Sequence, residues 1–164
     1  MVSNDTAVCS WVRQDTRRKR SRSVYSEGPV LYSWGDHYPM AVFHTGTDGV
    51  RYVLINADGY SSSTRKHLSI VRRRVREFPV IEVDYPLAKD HERNLQALVR
   101  NYRDTVPKFR RARTQKGWHV GQLAAIKERL VHYCTVFGLV PPPLLPGAER
   151  ERLLVELLAY KMAA

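Results

Sequence analysis

Cysteine is scarce in this 164-residue chain: the two that occur, Cys9 and Cys134, lie far apart and have no neighbour at metal-ligand or redox spacing. That excludes a disulfide scaffold and predicts two free, buried thiols in a reducing compartment. Long apolar runs are missing as well, and nothing approaches the roughly 20 residues that a membrane span needs. No membrane partner is therefore expected. The opening MVSNDTAVCSWV has neither a basic n-region nor an apolar h-region, which reads against a signal peptide. The expected compartment is the cytoplasm, the host cell's if a phage encodes the protein.

Motifs of chemistry are equally sparse. There is no P-loop and no GxGxxG. The six histidines, at 37, 44, 67, 91, 119 and 132, form no i, i+4 helical pair and have no cysteine partner. Neither a metal nor a cofactor is expected. Asp36, Asp48 and Asp58 lie at turns, where aspartate serves its Asx hydrogen bonds. Glu82, Asp84 and Lys89 come closest to a metal-dependent nuclease set, and their spacing fits no such pattern.

Acidic residues are also few. Against 27 Lys+Arg stand 16 Asp+Glu, for a net charge of +11 and a pI near 10.0. Such a field attracts polyanions, of which nucleic acid is the commonest in a cell; an acidic protein surface is the competing partner. The excess is segregated: +3 in residues 1–30, −2 in 31–60, +4 in 61–83, +5 in 84–116 and +1 in 117–164. Segregation favours one binding surface over general solubility.

What is present reads as an α+β chain. A short helix from Asp5 to Gln14, capped by Asn4 or Asp5, places Val8, Trp11 and Val12 on one face. The basic tract Arg17, Arg18, Lys19, Arg20 and Arg22 follows, read as a mobile loop that is either a solvated linker or an arm ordering on phosphate. From Val24 to Ala57 four short extended segments are separated by turn signals, Glu27-Gly28-Pro29 and Thr45-Gly46-Thr47-Asp48-Gly49 among them. A four-stranded antiparallel meander is the simplest arrangement, and it must bury one face against a helix.

That helix is predicted from about Thr64 to Arg76, with Ser61 to Thr64 offering caps. Leu68, Val71 and Val75 make its apolar stripe. Lys66, Arg72, Arg73 and Arg76 cluster away from it, with Arg65 among them and Arg74 adjacent in sequence, as a cationic ridge. Phe78 to Val83 is a further strand or an extended connector. The domain boundary is placed at 83/84: a basic lead-in and small sheet domain over 1–83, a helical region of about three helices over 84–164.

In the second half, Leu95, Leu98, Val99, Tyr102, Val106 and Phe109 form a stripe that Pro107 should kink or end. Arg93, Arg100 and Arg111 project opposite, and Lys108, Arg110, Arg111 and Arg113 form a basic tract. A helix from Trp118 to Phe137 stops at Gly138. Pro141-Pro142-Pro143 is a stiff spacer. The last helix, Ala148 to Lys161, carries Leu153, Leu154, Leu157 and Leu158, a core stripe or a homodimer face.

Two blocks at the centre carry a resemblance. Tyr32-Ser33-Trp34-Gly35-Asp36-His37-Tyr38-Pro39-Met40-Ala41 and Gly59-Tyr60-Ser61-Ser62-Ser63-Thr64-Arg65-Lys66-His67 resemble an uncharacterised family of small proteins and domains found in phages and bacteria. Its pattern is Tyr-Ser-Tyr-Gly-x-His-aromatic-Pro-Ile-Ala and then Gly-Tyr-Ser-x-Thr-Thr-x-Lys-His. Trp34 stands here in place of tyrosine and Met40 in place of isoleucine. The resemblance covers about residues 24–75 and implies a phage or mobile-element setting, with no activity to carry over.

Three functions stay open on these residues. The first is a non-enzymatic nucleic-acid-binding protein that touches phosphate through Arg17–Arg22, Lys66, Arg72–Arg76 and Arg100–Arg113, with Trp34 and Tyr38 stacking bases. Tyr52 and Tyr60 are further stacking candidates; all four could instead fill one face of the sheet. The second is an anti-defence protein that inhibits a host complex. The third is a small nuclease built on His37, Asp36 and His67, if the two blocks converge; otherwise those histidines serve turns and hydrogen bonds of the fold.

Overall fold

A computed structural model describes the whole chain except Thr16, Arg18, Gly59 and the side chain of Ala88. It divides into two compact units, Met1–Asn94 and Leu95–Ala164. The architecture is α+β: a five-stranded mixed sheet, with the C-terminal part helical.

In the first unit, α1 (Asn4–Val12) precedes β1 (Val24–Glu27), β2 (Val30–Ser33), β3 (Pro39–Thr45) and β4 (Arg51–Asn56), a simple antiparallel meander. Helix α2 (Ser62–Arg74) then crosses to β5 (Val80–Val83), which pairs parallel to β4. The 78–83 stretch is thus a fifth strand. Only a crossover element allows that parallel pairing, and α2 supplies it. Ser61 caps α2, its hydroxyl accepting from the Thr64 N–H at 3.1 Å.

The core follows the stripes of the sequence. Val8 and Trp11 of α1, Leu68 and Val71 of α2, and Val75 beyond it pack with Leu31, Ala41, Phe43, Val53 and Ile55 of the sheet. Trp11 stacks within 4.5 Å of the Phe43 ring, and its indole N–H donates to the Pro29 carbonyl at 2.9 Å. Burying residues of this size stabilises by about 1.5–3 kcal/mol each.

Two expectations for the lead-in are corrected. The cap of α1 is Ser3, whose hydroxyl accepts from the Thr6 N–H at 3.1 Å; Asn4 is free to work elsewhere. The basic tract is not a loose arm along its whole length. Ser21 and Ser23 are buried and hydrogen-bond Asn4, while the Val2 N–H donates to the Arg20 carbonyl. The hydrogen bonds of these two buried serines outweigh the repulsion of their arginine neighbours.

In the second unit, α3 (His91–Arg111, its first turn in the first unit), α4 (Lys116–Phe137) and α5 (Gly147–Ala163) surround Leu98, Tyr102, Val106, Phe109, Leu123, Ile126, Leu130, Cys134 and Leu153. Pro107 does not end α3, which runs on to Arg111. The proline forfeits the rung to the Arg103 carbonyl, yet Val106 and Phe109 beside it are 3% and 2% exposed. Their burial outweighs the lost bond. Gly138 stops α4 at φ +66°, its N–H directed to the Cys134 and Thr135 carbonyls. Cys9 and Cys134 are both free, Cys134 buried and Cys9 half-buried.

Candidate nucleic-acid interface

The cations fall into three groups with different surroundings. On α2, Arg65 and Lys66 are exposed. Arg72 is tied to Glu82 of β5 at 2.9 Å, and Arg73 and Arg74 both reach Asp5 of α1. The Asp5 carboxyl is accordingly held below the usual carboxylate range, chiefly by Arg74. The cationic ridge therefore doubles as a clamp between α2, α1 and β5, and among the described residues Arg65, Lys66 and Arg76 are its members outside any ion pair.

In the lead-in, Arg17, Lys19, Arg20 and Arg22 are exposed, with the Arg20 guanidinium 5.1 Å over the Tyr25 ring. Arg18 lies outside the described residues.

The third group is on α3. Arg100, Arg103, Lys108 and Arg111 are all exposed on the side away from Leu98, Tyr102, Val106 and Phe109. At 1.5 Å per residue, Arg100 to Arg111 spans roughly 16 Å. Asp104 is the one carboxylate on this stretch of helix, and Arg113 follows, exposed, just beyond its end. Arg110 is different: it turns inward to Glu156 at 2.8 Å and Glu149 at 2.9 Å. That pairing lowers the Glu156 carboxyl below its ordinary range and removes Arg110 from any outward surface.

The two central blocks do converge, at one end of the sheet. Trp34 and Asp36 to Pro39 of the first block, Tyr60, Ser61 and Thr64 of the second, and the segment after β5 line a cleft of about 710 Å³ within the first unit. Trp34 is 53% exposed at its mouth and sits at φ +55°, a conformation that costs a bulky residue about 1–3 kcal/mol. Its N–H donates to the Ser23 carbonyl at 2.8 Å, which pins the turn. Tyr38 packs 6.1 Å from Tyr60 and donates its hydroxyl to the Asp58 carbonyl. Burial, aided by the Asp58 charge, pushes the Tyr38 phenol up to about 12. Tyr60 is 80% exposed. Tyr52 is instead buried against the hairpin, its hydroxyl donating to Asp48 at 2.7 Å, so it presents no face for stacking.

The far wall of the cleft was not legible in the motifs. Tyr85, Lys89 and Arg93 form it. Buried Asn94 fixes Tyr85 by accepting from its N–H at 2.9 Å and donating to its carbonyl at 2.6 Å. An asparagine four residues before Leu98, in register with the apolar stripe of α3, was the available signal.

His37 and His67 part company. His37 is exposed, 3.3 Å from Asp36. His67 is 5% exposed, with Nδ1 2.8 Å from Ser33 Oγ and Nε2 3.0 Å from Asn4 Nδ2. Asn4 Oδ1 accepts from Ser21 and Ser23, which orients the amide and makes its nitrogen the donor to Nε2. His67 is then the neutral Nδ1–H tautomer, a joint between α1, β2 and α2. It is not arranged as a reacting group beside His37. Among the described residues, no group of three or more His, Cys, Asp or Glu could hold a metal ion, and no helix is long and apolar enough to cross a membrane.

Comparison with protein-family models, with curated proteins and with solved structures finds no match.

Proposed function

We propose that this protein is a non-enzymatic, phosphate-gripping nucleic-acid-binding protein of a phage or mobile element, working in the cytoplasm, and that the outward face of α3 is its principal contact. The observation that carries this is the stripe Arg100, Arg103, Lys108 and Arg111, exposed over roughly 16 Å with a single acidic neighbour. Residues 95–164 hold twelve basic and five acidic side chains, a net +7. The stripe has no carboxylate ion pair among the described residues, although Arg103 and Arg111 each give their Nε–H to a backbone carbonyl, of Leu144 and Pro107; such a helix neutralises phosphates and releases counterions without reading bases. The exposed lead-in cations, Arg17, Lys19, Arg20 and Arg22, extend the same chemistry. Arg72, Arg73 and Arg74 contribute less, because each already answers a carboxylate.

The test compares two triple variants of the full chain by fluorescence anisotropy, against a labelled 20-base-pair duplex and the matching single strand at low salt. R100E/R103E/R111E weakens binding to both by at least about 30-fold. R72Q/R73Q/R74Q weakens it by less than about threefold. Undiminished binding in the α3 variant removes this assignment.

A further inference from the structure

The cleft at the sheet end has a charge opposite to that of the protein around it. Four carboxylates line it, Asp36, Asp58, Asp84 and Asp90, against Lys89 and Arg93; counting histidine as neutral, the lining is −2 in a chain of +11. A phosphate group would meet carboxylates there. The N terminus of α2, which would favour an anion, is partly closed by the Ser61 hydroxyl on the Thr64 N–H. The walls are aromatic: Trp34, Tyr38, Tyr60 and Tyr85 all contribute to the lining. Rings and carboxylates around one space of this size are the combination that holds an organic cation, the ring faces attracting the charge and the carboxylates taking its N–H groups.

The cleft already shows that chemistry with a group of its own. At the Tyr85 end, the Arg93 guanidinium lies 3.8 Å over the ring centre and within 3.8 Å of Asp90. Elsewhere on the lining, Trp34 and Tyr60 are exposed, with Asp36 and Asp58 in the same lining and, among the described residues, no such cation over either ring. Trp34 is held at positive φ with its indole half exposed and 6.2 Å from the His67 ring.

We infer that this part of the cleft binds a guanidinium or ammonium group from outside the chain, seated against Trp34 and Tyr60 and paired to Asp36 and Asp58. The shared chemistry is a cation on a flexible aliphatic stem, carried by an arginine or lysine side chain of a basic peptide or by a free polyamine. The binding is independent of the nucleic-acid contact on α3, which takes the opposite charge.

The experiment uses the full chain as Trp118→Phe, so that Trp34 is the exposed indole that reports; Trp11 is 1% exposed. Its fluorescence is followed in separate titrations with a capped Gly-Arg-Gly peptide, with spermidine and with AMP. A saturable change with the peptide or with spermidine is expected, and which of the two saturates at lower concentration identifies the source. Tyr60→Ala, at an exposed position that leaves the fold intact, and D36N/D58N each weaken it at least about tenfold. Saturation by AMP alone, no saturation by either cation, or cation binding that both variants leave unchanged overturns the assignment.

Discussion

At the scale of single residues, His67 and Trp34 show how much of this site is fixed by neighbours that the motifs do not contain. His67 is clamped neutral: Asn4 donates to one ring nitrogen and Ser33 takes the proton of the other, so a second proton would face an N–H donor. Burial pushes its pKa below the ordinary histidine range, and the same holds for His44 and His91. In the unfolded chain these rings protonate near pH 6.5, so below that pH the unfolded state binds more protons and stability falls. Urea melts should give a lower midpoint at pH 5.5 than at pH 7.5, with a smaller drop in His67→Gln. An equal drop in both proteins would mean that His67 does not carry its share. At constant pH, His67→Ala strands half-buried Asn4 and buried Ser33 and should cost about 1–3 kcal/mol. Trp34 works in the other sense. Trp34→Asn, which tolerates positive φ, should raise stability by about 1 kcal/mol while removing the indole from the cleft.

At the scale of elements, the four meander strands were legible from the turn signals between them and the helices from their apolar stripes; α3 is the clearest case. What was not legible depended on partners far away in sequence. That β5 pairs parallel to β4 follows from where α2 returns the chain, which no local pattern specifies. Pro107 was expected to kink or end α3; the helix does not end there, and Val106 and Phe109 beside it are deeply buried. Pro107→Ala should therefore stabilise the second unit, by up to about 3 kcal/mol as the rung to the Arg103 carbonyl is restored; a thermal melt that does not rise would show that the helix has already adapted to the proline. The α2 ridge was legible as charge but not as a clamp, because Asp5 and Glu82 reach it across 68 and 10 residues of sequence. The same limit hid the cleft, whose two motif blocks were visible but whose third wall, Tyr85 and Arg93, is brought in by the turn after β5 and the start of α3. On α5, the leucine stripe divides: Leu153 is buried, while Leu154, Val155 and Leu158 are 53–67% exposed.

At the scale of the molecule, the excess positive charge is spread over both units, with +4 in residues 1–94 and +7 in 95–164. The first unit spends much of its share internally, on Asp5, Glu82 and Asp90, and keeps an acidic cleft. The second unit ties Arg110 to Glu149 and Glu156, and among the described residues the outward cations of α3 have no carboxylate ion pair. Net charge alone points to both units; we place the contact on α3 because the ion pairs among the described residues leave its outward cations without carboxylate partners. Counterion release separates the two, because each phosphate neutralised on a duplex contributes about 0.9 to the slope of log K against log salt. The most direct measurement is that slope, taken for the full chain and for R100E/R103E/R111E on one duplex between 50 and roughly 300 mM salt. Loss of about 2–3 from the slope, together with the weaker binding, is the expected result. A variant that binds with the wild-type slope would contradict the assignment of phosphate contacts to α3.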